Sequence, residues 1–379
     1  MLENRKKKVV GLFSGIGGLE LGFHSAGFQS TMLCEIDKSA QHVLRARFPE
    51  AEILSDVRAI DRTISADVLC AGFPCQDLSS VGQKNGIGGR QSSLVDEVFR
   101  ILEVSNVDLV VIENVRFMLH LDKGAAMARV VGGFERLGYK WAYRVVNSLA
   151  FGVPQRRHRV FFVASKTQDP RNILLSDDFP APIVLDESPT LDDHIGFYWT
   201  EGAYAAGLSR NAIPPLKAGS TIGIPSPPAI LFPTGLVGTP DLRDAERLQG
   251  FDVDWTLPVE EHGRASLRWR LLGNAVTVPV AEWLAERIRV PRSYDSSKDF
   301  PLKGKWPNAA WSMGDGRFGA TCSEWPVSHN FVPIGDFLRF EPKPLSKKAT
   351  NGFVNRALKG NLRFPEGFLD ALTGHMRRM

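Results

Sequence analysis

Three stretches of the chain carry reactive side chains where apolar runs end. Cys75 stands in Gly72-Phe73-Pro74-Cys75-Gln76, just past the run Val68-Leu69-Cys70, and Glu113 stands in Ile112-Glu113-Asn114-Val115. Open α/β sheets place ligands at the carboxyl ends of their strands, so a thiol and a carboxyl at two such ends can converge on one substrate. Gln155-Arg156-Arg157-His158-Arg159 adds three guanidinium groups before a further strand, with Arg157 and Arg159 alternating onto one face. Such a pair can hold an anionic or carbonyl-bearing substrate and lower the pKa of a nearby thiol. Taken singly, each has a plainer reading: a core cysteine, a capping glutamate and a solvated charged edge. Their combination favours chemistry.

A fourth stretch, Phe13-Ser14-Gly15-Ile16-Gly17-Gly18, joins a strand to a helix, where glycines let the backbone approach a ligand closely. Glu35 ends the second strand, at the distance that suits a carboxylate accepting hydrogen bonds from ribose hydroxyls. Asp56, after the strand Glu52 to Leu54, could read an adenine amino group; alone it reads better as a turn or cap aspartate.

The elements that must position these residues alternate. Val9 to Phe13, Thr31 to Cys34, Asp67 to Cys70 and Asp108 to Ile112 are strand-like, with helices between them carrying Leu19, Gly22, Phe23 and Ala26, and then Ala40, Val43 and Leu44. Strands separated by helices imply a parallel, doubly wound sheet. A helix through Met127, Val130, Val131 and Phe134 precedes two more strands, Trp141 to Val146 and Arg159 to Ala164. Residues 165–240 then hold 11 of the 24 prolines, which excludes long helices there and marks a smaller module of loops and short edge strands. Helical order resumes around Val280, Trp283 and Leu284, while 291–379 shows no strong period.

Composition narrows the class. The 379 residues suffice for two or three structural units, and 46 Lys+Arg against 42 Asp+Glu leave a net charge of only +4. Residues 341–379 alone carry eight basic and three acidic side chains, so the rest of the chain is about −1. The four cysteines, Cys34, Cys70, Cys75 and Cys322, show no C-x-x-C spacing, which speaks against a disulfide framework or a cysteine-rich zinc site. No long apolar run and no secretion signal are present, so a soluble, cytoplasmic protein is expected.

Six blocks in order, Leu12 to Leu19, Gly72 to Gln76, Ile112 to Val115, Gln155-x-Arg157-x-Arg159, Arg247-Leu248-Gln249-Gly250-Phe251 and Gly273-Asn274-Ala275-Val276, make the chain resemble the cytosine-C5 DNA methyltransferases from about residue 8 to 290. The resemblance implies a Rossmann-like catalytic domain from 1–164 and 241–290, a target-recognition domain at 165–240 and a C-terminal extension at 291–379. It implies S-adenosylmethionine held by Phe13, Ser14, Gly15, Ile16, Gly17, Gly18 and Leu19, with Glu35 on the ribose, Ile36, Asp56 and Val57 at the adenine, and Pro74, Leu94, Asn274 and Val276 lining the pocket. Ile36 and Asp244 depart from the residues common in the family at those positions.

By the same resemblance, Cys75 adds to cytosine C6, Glu113 binds N3 and the exocyclic amine, Arg159 holds O2 and Arg157 supports the Cys75 end. The target base must be flipped out of the duplex. The glycine-rich segment Gln76 to Arg90 suits closure over DNA, with Lys84 and Arg90 near phosphates, and Thr221 and Ile222 fall in the expected base-reading loop Gly219 to Ser226. Tyr198, Trp199 and Arg210 are further candidates for DNA contact. Ser226-Pro227-Pro228-Ala229 lacks the aromatic fourth residue of amino-group methyltransferases. Double-stranded DNA is the expected partner, with room for a cognate nuclease or defence-system protein; no metal and no membrane enter, a monomer is expected, and action is at the nucleoid. A tRNA cytosine methyltransferase and a catalytically silent DNA-binding relative remain alternatives. The former lacks support from a Cys-Phe-Thr tripeptide, and the latter is hard to reconcile with Cys75 and Glu113.

Overall fold

A computed structural model describes residues 6–74, 93–182, 188–219, 227–328 and 331–379. The chain divides into two compact units. One comprises Met1–Asn147, His158–Pro180 and Val278–Val327; the other comprises Ser148–Arg157, Ala181–Thr277 and Ser328–Met379. These boundaries differ from the segments expected above. Residues 291–327 fold with the first unit and 328–379 with the second, while 241–277 accompanies the module that contains most of 165–240.

The first unit is built on β1 (Lys8–Leu12), β2 (Gln29–Cys34), β3 (Glu52–Leu54), β4 (Val68–Ala71), β5 (Leu109–Val115), β6 (Lys140–Asn147) and β7 (His158–Ser165). The late strands β12 (Phe300–Pro301), β13 (Ala309–Ser312) and β14 (Phe318–Gly319) complete a ten-stranded sheet in the order β12-β14-β13-β6-β7-β5-β4-β1-β2-β3. β3, β2, β1, β4 and β5 are mutually parallel, as alternation with helices requires. β7 inserts antiparallel between β5 and β6, so the sheet is mixed where the sequence suggested a parallel one. The reason is local: only the short 3-10 turn Ser148–Phe151 and a loop join β6 to β7, and no crossover helix is available.

Both faces of the central strands are buried, which accounts for runs such as Leu109-Val110-Val111-Ile112. One face packs on Val98, Ile101 and Leu102 of the helix Leu94–Val104 and on Val130, Val131 and Phe134 of the helix Ala125–Arg136. Each such side chain contributes about 1.5–3 kcal/mol by leaving water. Trp306 joins this cluster, set edge-on to Trp141 at 6.4 Å, and its indole N–H donates to the Gly124 carbonyl at 3.0 Å.

The second unit has a five-stranded antiparallel sheet in the order β15-β11-β10-β8-β9. Its strands are β8 (Ile195–Phe197), β9 (Ser209–Arg210), β10 (Ala229–Leu231), β11 (Val237–Thr239) and β15 (Lys343–Pro344). The helices Lys347–Lys359 and Phe368–Arg378 bury Phe353, Val354, Ala357, Phe368 and Leu372 against Ile195, Phe197, Leu231 and Val237. His375, also buried, bridges strand and turn: Nδ1 accepts from Val237 N at 3.3 Å, and Nε2 lies 2.8 Å from the Leu345 carbonyl. Among the described residues no helix is long and apolar enough to cross a membrane.

Candidate active site

Strand order defines where a ligand can enter the first unit. β1 connects outward to β2, whereas β4 lies on the opposite side of β1, so the chain switches direction between these neighbours. Loops leaving β1 and β4 diverge at such a point and open a crevice beyond the strand ends. Phe13 to Gly18 leaves β1, and Gly72-Phe73-Pro74 leaves β4.

The first loop is held in an unusual backbone path. Phe13 has φ of 58°, Gly15 of 55° and Gly17 of 84°. A Cβ on Gly17 would lie 2.3 Å from the Phe48 ring, so conformation and space both require glycine there. Ser14 N donates to the Cys34 carbonyl at 3.1 Å, tying the loop to the end of β2. Ile16, Gly18 and Leu19 are buried, and the Phe13 ring meets Phe73 edge-on at 6.3 Å.

Glu35 follows β2 directly. Its Oε2 accepts from Gly15 N at 2.7 Å and its Oε1 from Asp37 N at 2.8 Å, so the carboxylate braces the loop. Burial pushes its pKa up, and the two backbone donors oppose that rise. Ile36, beside it, is 68% exposed, an apolar side chain turned to solvent at the end of a strand. Asp56 caps the 3-10 turn Val57–Ala59, its Oδ1 accepting from Arg58 N at 2.9 Å, while Val57 is buried. Pro74 is exposed, and Leu94 opens the helix Leu94–Val104 half-buried against the core.

Beneath the loop lies a carboxyl that the motif spacing did not single out. Glu20 is buried, and the Cβ that Gly11 lacks would fall 2.0 Å from its Oε1. Burial pushes its pKa up to about 7.

At the end of β5, Glu113 is buried and its Oε1 lies 2.9 Å from the Arg159 Nε in an ion pair. Arg159 begins β7, paired in register with Val115, and its Nη1 also donates to the His158 carbonyl at 2.9 Å. Asn114, equally buried, sends its amide to the Phe73 carbonyl at 3.0 Å and so fastens the β4 loop to β5. Sequence inspection placed Asn114 within a motif without giving it this task. Its signal was an uncharged amide between two strand-ending residues.

Cys75, Lys84, Arg90, Thr221 and Ile222 lie outside the described residues.

The remaining motif residues belong to the second unit. Arg157 is fully buried; its Nη2 donates to the Ala275 carbonyl at 2.7 Å and its Nη1 to the Leu216 carbonyl at 3.2 Å. Gln155 donates to the Leu248 carbonyl at 2.9 Å and accepts from Leu216 N at 2.8 Å. Gln249 reaches the Leu272 carbonyl at 2.7 Å, and Thr277 Oγ1 donates to its Oε1 at 3.0 Å. Three of the sequence blocks thus meet in one polar network. Arg157, expected as part of the reacting site, here clasps the backbone that carries Asn274 and Val276. Gly273 admits this packing, since a Cβ there would sit 2.1 Å from the Lys217 carbonyl carbon. Asn274 is exposed and Val276 buried.

Other candidates find structural partners. The Tyr198 hydroxyl donates to the Pro215 carbonyl at 2.8 Å, the Trp199 indole to the Pro227 carbonyl at 3.0 Å, and Arg210 pairs with Asp193 at 3.0 Å. Asp244, buried, accepts from Phe340 N at 2.9 Å and from Arg247 at 2.6 Å, so the shorter acid is fully used. Among the described residues no group of three or more His, Cys, Asp or Glu could hold a metal ion.

The doubly wound sheet thus carries a braced glycine loop after β1 and a carboxylate–guanidinium pair at the ends of β5 and β7. Comparison with known proteins specifies the class. Residues 7–208 match the family of C-5 cytosine-specific DNA methylases. The chain is 44% identical over 96% of its length to the Type II methyltransferase M2.BsuMI of Bacillus subtilis (strain 168), covering 97% of that protein. It is 28% identical over 76% of its length to the Type II methyltransferase M.DsaV of Dactylococcopsis salina, covering 87% of that protein. In fold it is similar to the crystal structure of S. pombe Dnmt2 methyltransferase, with a TM-score of 0.54 at 14% identity over 74% of this chain and 98% of that one. The chain belongs to the C-5 cytosine-specific DNA methylase family and is a DNA methyltransferase.

Proposed function

We propose that this enzyme methylates C5 of cytosine within one specific duplex DNA sequence, as the modifying partner of a Type II restriction system. The ion pair of buried Glu113 and half-buried Arg159 carries the reading, because one edge of a cytosine presents an amine and N3 to a carboxyl and O2 to a guanidinium. The relatives named above are Type II methyltransferases, which supports the assignment to restriction and modification.

The family's methyl donor is S-adenosylmethionine, and the loop after β1 suits it. Gly15 has open space where a Cβ would be, Glu35 is fixed by two backbone donors, and Ile36 offers an exposed apolar side chain for an adenine ring to cover. Phe13 to Leu19 would cradle the donor, Glu35 its ribose, and Ile36, Asp56 and Val57 its base, with Asp56 Oδ2 left for the amino group by a cap that uses Oδ1. When bound, the donor supplies an electrophilic methyl group on a sulfonium.

Cytosine C5 is a poor nucleophile, so a covalent step is needed. In this reading Glu113 would be protonated when the base binds and give that proton to N3 as the Cys75 thiolate adds to C6, and C5 would take the methyl group as its bond to sulfur breaks and a thioether leaves. Loss of the C5 proton to a base would then expel the thiolate, and N3 would return its proton to Glu113, restoring the ring. Arg159 orients the base through O2 while it holds Glu113. Asn114 fixes the backbone that leads into Cys75. Incubation with labelled S-adenosylmethionine and duplex DNA, followed by mapping of modified cytosines, tests the proposal: 5-methylcytosine in a single sequence context is expected, and methylation at N4 or of RNA alone overturns it.

A further inference from the structure

A strongly basic surface in the second unit plays no part in the reading above. Lys347, Lys348, Asn351, Thr373, Met376 and Arg377 line a groove of about 630 Å³ between the start of the helix Lys347–Lys359 and the end of the helix Phe368–Arg378. Lys347, Lys348 and Arg377 are exposed. Two arginines on the same helices are committed elsewhere: Arg356 donates to the Glu201 and Trp199 carbonyls, and Arg378 to the Thr234 and Gly235 carbonyls. By contrast, no ion pair or hydrogen bond among the described residues engages the side chains of Lys347, Lys348 or Arg377.

Helix stability does not account for the two lysines. They occupy a first turn that contains no acidic residue, where the helix dipole disfavours cations by a few tenths of a kcal/mol each. Three like charges converge on one groove without a counter-charge, although the helices are firmly anchored by Phe353, Phe368, Leu372 and His375. The concentration of charge fits a polyanion better than any group within the unit.

We propose that Lys347, Lys348 and Arg377 bind backbone phosphates of duplex DNA, independently of its base sequence. This rests on the DNA-methyltransferase reading but not on its chemistry. Ammonium and guanidinium groups on two rigid helices match a repeating row of phosphates, and their aliphatic stems with Met376 form the groove between them. The surface supplies sequence-independent affinity, and base reading is left to other parts of the protein.

The test compares the full-length protein with Lys347→Ala/Lys348→Ala/Arg377→Ala and with the charge-preserving Lys347→Arg/Lys348→Arg/Arg377→Lys. The dissociation constant for a short duplex of random sequence is measured from about 50 to 200 mM salt, where three lost phosphate contacts lower the log–log slope by about 3. Over that range the wild-type protein should lose about 40-fold more affinity than the alanine variant. The charge-preserving variant should keep the wild-type slope, and thermal unfolding should be unchanged in both. Equal slopes for wild type and alanine variant overturn the proposal, as does a loss of slope in the charge-preserving variant. Methyl transfer by the wild-type protein is assayed separately. Failure to methylate any duplex, with the slope difference intact, removes the functional reading and leaves the phosphate surface standing.

Discussion

The charges of Glu113 and Arg159 are matched, one buried and the other half-buried, whereas those of Lys347, Lys348 and Arg377 are exposed and unmatched. The two groups face opposite physical demands. A site that must tell one face of one base from another needs fixed partners at hydrogen-bond distance in a poorly solvated place, and each partner then depends on the other. A surface that recognises phosphates of any sequence needs only charge, at a spacing that side-chain flexibility can adjust. Damage to the first group should therefore be large and specific, and damage to the second graded and dependent on salt.

Cys75→Ser should have the largest effect, reducing methyl transfer to background while DNA binding persists, as measured by tritium incorporation and by gel shift. Retained transfer would remove the nucleophile on which the covalent scheme depends. Next, Arg159→Ala leaves Glu113 buried without its cation, which should destabilise the first unit by about 3 kcal/mol and lower methyl transfer by about 100-fold. Denaturant unfolding and kcat measure the two effects. A loss of activity without any loss of stability would show that the pair is not coupled as the geometry indicates.

Glu20 sharpens the contrast as a buried carboxyl with no ion pair among the described residues. Its folded pKa of about 7 lies above the unfolded value, so the native state binds the extra proton between about pH 4.5 and pH 7. Stability should fall as pH rises through that window, by up to about 3 kcal/mol, and level off above it. Glu20→Gln should flatten this profile in urea unfolding at pH 5 and pH 8, and an unaltered profile would contradict the assignment. The alanine variant of the Lys347 surface should have the smallest effect at low salt, a weaker and flatter salt response without loss of fold.

The same contrast shows what the chain reveals before folding. The parallel core was legible because β1, β4 and β5 contain apolar runs and β2 ends in one, separated by helices with clear periods. Gly17 was legible as a turn glycine because backbone conformation and space constrain it tightly. Its spacing to Gly15 marked Glu35 as a candidate for a ribose, whereas the bond from the loop's own N–H to its carboxylate is one that spacing did not reveal.

Other parts were hidden for physical reasons. β12 and β14 are two residues long, and β13, which carries them onto the sheet, pairs with β6 from far away in sequence, so no local pattern marks them. The same holds for β15, which pairs with β11 from about a hundred residues away. The helix Lys347–Lys359 does carry a helical period in Thr350, Phe353, Val354 and Ala357, but only one turn of it is strongly apolar. Arg157 shows another limit of spacing: an arginine beside a catalytic motif invites a role at the substrate, and the hydrogen bonds that its Nη1 and Nη2 give to backbone carbonyls have no local signature.

The central claim is that Glu113 and Arg159 form the cytosine-reading pair of a DNA methyltransferase. Its most direct measurement is methylation of genomic duplex DNA by the wild-type protein and by Glu113→Gln, with every modified base mapped. The account predicts 5-methylcytosine confined to one sequence context for the wild type and near-complete loss for the variant. Comparable 5-methylcytosine from Glu113→Gln would contradict it.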